Sequence, residues 1–239
     1  MDASILIVGF GCFIAAFINA AFATGGVFIV LATLTLVFPP SVAIPLMGPA
    51  SAGSLVARVA LFRAEINWRI CLMFSLGATL GVLAGALVFF SLPETALRVG
   101  LALILLLMVW VPPSIWLRDR RIPFLPLGAV HTFVATTLGL GGLLQAVLIN
   151  TPMTKGALTG TLAFCMLTAD VFKVLGYGSL GFDFRPYIPH IIVATAVGFA
   201  GAWAGKRVSH RISDGLFRLV FRLLVGVVAL RLLWQAAQA

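Results

Sequence analysis

Asn19-Ala20-Ala21-Phe22-Ala23-Thr24-Gly25-Gly26 breaks an apolar run, from about Ser4 to Phe38, that is too long for a single membrane crossing. The glycine pair recurs 116 positions later as Gly141-Gly142. The same offset lays Asn67-Trp68-Arg69 on Asp183-Phe184-Arg185, and an offset of 120 lays Gly81, Gly85 and Leu97-Arg98 on Gly201, Gly205 and Phe217-Arg218. Each Asn/Asp-aromatic-Arg triplet follows a long apolar segment with one lone cation, Arg58 in the first half and Lys173 in the second. A duplication of apolar segments in which each half is broken by a glycine pair is a recurring plan of secondary transporters.

Composition fixes the solvent. With 62% hydrophobic and 10% charged residues, too little polar surface exists to cover a soluble globule. Apolar stretches run over 4–38, 41–62, 68–90, 96–111, 124–150, 153–177, 187–205 and 216–234. The simple ones approach or exceed the ~20 residues that cross a ~30 Å hydrocarbon core as a helix, and only helices or closed barrels satisfy their backbone there. The fold class expected is therefore an all-α polytopic membrane protein of roughly eight hydrophobic segments in two homologous repeats. Residues 1–113 form the first repeat and 124–239 the second. Between them lies a polar connector, 114–123, which carries Arg118, Asp119, Arg120 and Arg121. Ala21-Phe22-Ala23 has the look of a signal-peptidase site, but the leading end carries Asp2 instead of a cation and the segment recurs within the chain, so it is read as structure. Cys12, Cys71 and Cys165 are odd in number, far apart and in apolar segments, and are read as small hydrophobes.

The net charge of +9 comes from single cations or short clusters at segment ends. No stripe interleaved with aromatics exists, so nucleic acid is not the partner; the lipid bilayer is. If all eight stretches cross once, the end cations divide seven to seven. If the two glycine-broken stretches instead go in and come back as re-entrant hairpins, leaving three full crossings per half, the division is eleven to three. The eleven are residues 63, 69, 118, 120, 121, 155, 206, 207, 211, 218 and 222; the three are 98, 185 and 231. A cationic side is cytoplasmic, so the hairpin reading is the expectation, with a straight but kinked helix as its alternative. An odd number of crossings inverts one repeat relative to the other and puts both termini outside.

Several features together resemble the sulfite exporter TauE/SafE family, within the 4-toluene sulfonate uptake permease superfamily. They are the glycine break in both halves, Pro39-Pro40-Ser41-Val42-Ala43, the Asn/Asp-aromatic-Arg turn, the glycine ladder followed by Leu92-Pro93-Glu94, and Ile212-Ser213-Asp214 at the matching place. The resemblance implies a multi-pass protein of the bacterial inner membrane that moves sulfite or organosulfonates. Here the chain departs from the family, which usually shows a longer glycine run preceded by an acidic residue. The missing acid counts against proton coupling through that position.

Broken helices leave N–H groups unpaired, and these together with the helix dipole attract anions. The expected substrate-binding set is therefore Asn19, Thr24, Gly25, Gly26, Arg58, Gly141, Gly142, Gln145 and Lys173. The alternative for the glycines is close packing or a kink, and for the two cations snorkelling to the headgroups. Asp170, one turn before Lys173, is a coupling or gating candidate or its simple ion-pair partner. His131 is a possible proton relay or a histidine bonded to a nearby carbonyl. The four-residue spacing of Gly77, Gly81 and Gly85, and of the matching Gly201 and Gly205 with Gly198 three residues before them, is the small-residue packing pattern.

The function expected is secondary transport of a small sulfur-containing anion by alternating access around a midplane site. Protons or sodium are possible coupling ions, and a homodimer is allowed by the small-residue ladders. The alternatives are a permease for another small anion such as a carboxylate, or a non-transporting assembly subunit. His-Glu-x-x-His, Gly-x-Ser-x-Gly and Cys-x-x-Cys patterns are all absent, so neither an enzyme nor a cofactor or metal is expected.

Overall fold

A computed structural model describes residues 3–22, 25–110, 122–140, 142–208, 230–232, 234, 235 and 237. The connector arginines, Thr24, Gly141 and the 212–214 motif lie outside the described residues. Among the described residues nine α-helices follow one another: α1 (Ala3–Phe22), α2 (Gly26–Val37), α3 (Pro40–Phe62), α4 (Trp68–Ser91), α5 (Glu94–Trp110), α6 (Phe124–Leu138), α7 (Leu143–Ile149), α8 (Lys155–Ser179) and α9 (Ile188–Val208). Five are long and apolar enough to cross a membrane, and α2 and α6 are shorter apolar helices. The protein is thus a helical, multi-pass membrane protein. The outward face of α4 carries exposed Leu72, Leu76, Leu80, Leu83 and Leu87, an apolar surface suited to lipid and not to water.

The helices meet where side chains vanish. A Cβ added at Gly77 or Gly81 would fall on the carbonyl oxygen of Leu125 or Ala129 in α6, and one at Gly201 or Gly205 on that of Phe13 or Phe17 in α1. Lipid supplies no hydrophobic drive between helices, so contact of this closeness is what holds them together. The two ladders therefore join α4 to α6 and α9 to α1, each linking one half of the chain to the other. Gly198 lies by the Ser54 backbone of α3.

The same contacts give direction. Along α4 and α6 the partners rise together (Gly77 with Leu125, Gly81 with Thr132, Gly85 with Thr136), as they do along α1 and α9 (Ser4 with His190, Phe13 with Gly201, Phe17 with Gly205). Asn67 bonds Thr161 at 2.9 Å and Val82 neighbours Gly176, so α4 and α8 are parallel. Thr195 donates to Pro49 and Gly198 lies beside Ser54, so α3 and α9 are parallel. Along α3 and α8 the order reverses: Gly48 faces Asp170, Phe62 faces Gly160 and Glu65 faces Gly156. Helices α1, α3 and α9 therefore run one way and α4, α6 and α8 the other.

Because α1 and α3 are parallel, the chain between them must come back. Helix α2 does this, with Gly26 beside Asn19 and Thr33 beside Gly11 of α1. One end of the bundle carries Ser4, Phe38, Glu94 and His190; the other carries Glu65, Lys155 and Lys206. Of the described cations at helix ends, Arg63, Arg69, Lys155, Lys206 and Arg207 lie at the second end. Arg98 and Arg185 lie at the first, where Arg98 donates to the Gln235 carbonyl at 3.3 Å.

Two cysteines far apart in sequence meet across the α4–α8 contact. The Sγ atoms of Cys71 and Cys165 are 3.8 Å apart, and both residues are buried.

Candidate anion site

A cavity of about 110 Å³ lies between α3 and α8 and is lined further by α1, α2, α6 and the second glycine break. It has room for several water-sized groups, each needing roughly 10–15 Å³. From α3 come Met47, Ser51, Ser54 and Arg58; from α8 come Leu162, Met166, Ala169 and Lys173. Both sets have the spacing i, i+4, i+7, i+11, which at 3.6 residues per turn keeps four side chains within an arc of about 60°. Each helix thus turns one stripe, ending in a cation, toward the cavity.

Arg58 and Lys173 are 5% and 9% exposed, so neither snorkels to a headgroup. Arg58 Nε donates to the Ser54 carbonyl at 3.4 Å, and among the described residues it has no ion-pair partner. Lys173 Nζ lies 2.5 Å from Asp170 Oδ1. Two cations against one carboxylate leave one positive charge uncompensated. A lone charge inside a membrane segment costs at least ~2.5 kcal/mol on insertion scales, which an anionic ligand would offset.

Sequence reasoning placed the two cations at matching positions. The antiparallel register puts their Cα atoms at opposite ends of the cavity, roughly 15 Å apart along the axis at 1.5 Å per residue. Side chains on a helix lean toward its N-terminus, so here the two cations lean toward each other.

The cavity gathers Asn19, Arg58, Gly142 and Gln145 with Lys173, Asp170 and His131. It does not take in Gly25 or Gly26. The Gly26 N–H is already bonded to Asn19 Oδ1 at 2.9 Å, and a Cβ there would strike the Ala15 carbonyl and the Asn19 side chain. Gly26 therefore packs the hairpin, while Asn19 closes it by accepting with its oxygen, leaving its Nδ2 as the donor. In the second half His131 Nδ1 accepts from the Leu144 N–H at 3.2 Å, within the first turn of α7. This histidine is bonded to an amide, not to a carbonyl. Gly25 (φ 92°) and Gly142 (φ 51°) occupy the left-handed region, which glycine enters without penalty.

Two polar residues of the cavity wall escaped the sequence reading. Ser51 and Ser54 share the face of Arg58, and the Ser54 hydroxyl is buried with no hydrogen-bond partner among the described residues. The signal was their spacing, one and two turns before the cation.

The sequence model of the sulfite exporter TauE/SafE proteins matches residues 8–232. The chain belongs to the TauE/SafE family. No curated protein and no solved structure matches it. As a TauE/SafE protein it is an integral membrane protein of a sulfur-anion transporter family, and the α3–α8 cavity is where its buried cations converge.

Proposed function

We propose that the protein is a secondary transporter that carries sulfite or a small organosulfonate across the cytoplasmic membrane by alternating access around the α3–α8 cavity. The observation that carries this reading is the uncompensated positive charge of Arg58 in a buried, roomy and otherwise neutral cavity. Ser51, Ser54, Asn19 and Gln145 supply neutral groups around it, which suits an oxyanion that takes several hydrogen bonds.

The halves, 1–113 and 124–239 about the connector 114–123, act as inverted repeats. Their matching helices α3 and α8 run antiparallel, and α1–α2 and α6–α7 are the re-entrant hairpins. The end bearing Arg63, Arg69, Lys155, Lys206 and Arg207 faces the cytoplasm, which leaves both termini outside. Asp170 and His131 are the groups placed to couple or gate.

A thermal-shift screen of the solubilised protein against sulfite, thiosulfate, sulfoacetate, taurine and simple carboxylates tests the reading, since a ligand of the folded state raises its stability. Selective stabilisation by sulfur oxyanions is expected. Selective stabilisation by carboxylates would move the substrate class, and none by any of them would favour an assembly subunit.

A further inference from the structure

The two stripes that face the cavity are matched in spacing but not in chemistry. On α3 the positions before Arg58 are Ser51, Ser54 and Leu55; on α8 their counterparts before Lys173 are Met166, Ala169 and Asp170. The α3 wall therefore offers hydroxyls and a free cation, whereas the α8 wall offers apolar groups and a cation already in contact with a carboxylate. Asp170 has no acidic counterpart on α3, where Leu55 stands in its place.

Asp170 is held chiefly by one charged partner. Among the described residues its one ion pair is with Lys173, and none of the described hydrogen bonds from a backbone N–H or hydroxyl ends on it. Its Cβ and Cγ lie against Gly48, where α3 and α8 approach closely, and its charge acts on Arg58 as well. A carboxylate carries one negative charge and two acceptor oxygens, the features by which a small oxyanion is bound.

We propose that Lys173 is a second anion station in the cavity, that the Asp170 carboxylate occupies it as a built-in anion, and that a substrate oxyanion held at Arg58 displaces this carboxylate as it crosses. The inference rests on the anion-transport reading of the cavity. Return of Asp170 to Lys173 then expels the substrate from the second station, so the tether favours release over tight binding. No bond is made or broken in the exchange; one anion replaces another at a fixed cation.

The test is calorimetric titration of sulfite into monodisperse solubilised protein, paired with radiolabelled sulfite flux in proteoliposomes. Asp170→Asn is expected to bind sulfite at least tenfold more tightly than the wild type and to transport it more slowly. Arg58→Ala is expected to lose binding and Arg58→Ala/Asp170→Asn to regain it, because regained binding has to use Lys173. Unchanged or weaker binding by Asp170→Asn, or a double variant as inactive as Arg58→Ala, overturns the inference while wild-type binding leaves the transport reading intact. Absence of sulfite binding in the wild type and every variant overturns both. Where Asp170→Asn fails to fold with Lys173 unpaired, the charge-neutral Asp170→Leu/Lys173→Met keeps the question open to decision. It should bind sulfite as the wild type does and lose at least tenfold in flux, and wild-type flux in this variant overturns the inference.

Discussion

Arg58→Ala separates a binding role from a structural one by numbers. Among the described residues the side chain makes one hydrogen bond, to the Ser54 carbonyl at a weak 3.4 Å, and no ion pair. Truncation therefore removes at most about 1 kcal/mol of hydrogen bonding and relieves part of the ~2.5–3.5 kcal/mol that an arginine costs at a helix centre. The folded protein should be as stable as the wild type or more so. A substrate anion, by contrast, loses a charge-assisted contact of about 1.5–3 kcal/mol, which is roughly a 10- to 150-fold weaker Kd. Sulfite titration by calorimetry, with thermal unfolding of the same samples, measures both quantities. A variant with wild-type affinity removes Arg58 from the site; one that loses folded protein in step with binding makes it structural.

Asn19→Ala uncaps the Gly26 N–H and should lower stability by about 0.5–2 kcal/mol, the range for a lost helix N-cap, with faster hydrogen exchange localised to the α1–α2 hairpin. Gly81→Val drives a side chain into the Ala129 carbonyl and the Thr132 hydroxyl, and should deplete folded protein in size-exclusion profiles where Leu80→Val, on the exposed face of α4, does not. A cysteine introduced at Gly181, on a background without Cys12, Cys71 and Cys165, should react with an impermeant maleimide added outside intact cells, and one at Glu65 should not; the reverse pattern would invert the proposed topology.

Much of the fold was legible because membrane insertion penalises charge so heavily. Arg58 and Lys173 stood out as lone cations in apolar segments, and the structure places both in one cavity. The ladder at Gly77, Gly81 and Gly85 was legible for a related reason, since packing in lipid rests on small residues at helical spacing. What stayed hidden depends on the register between helices. The glycine break was read as a ligand surface, yet Gly26 is spent on approach to Ala15, and of the described residues of the two glycine pairs it is Gly142 that lines the cavity, with Gly139 beside it. His131 reaches an amide 13 residues on in the chain, and Cys71 meets Cys165 across the halves. Neither contact has a local signature. Ser51 and Ser54 were overlooked because serine in a membrane helix usually bonds back to its own turn, as Thr33, Thr79 and Thr168 do here; only the direction of the α3 stripe singles them out.

The central claim is that a sulfur oxyanion sits in the α3–α8 cavity against Arg58. A long-wavelength anomalous map of crystals grown in sulfite reads this directly, since the added sulfur joins those of the methionines and cysteines. The account predicts one extra sulfur peak within hydrogen-bonding reach of the Arg58 guanidinium, between α3 and α8. An extra peak only at another place in a protein that transports sulfite would contradict it.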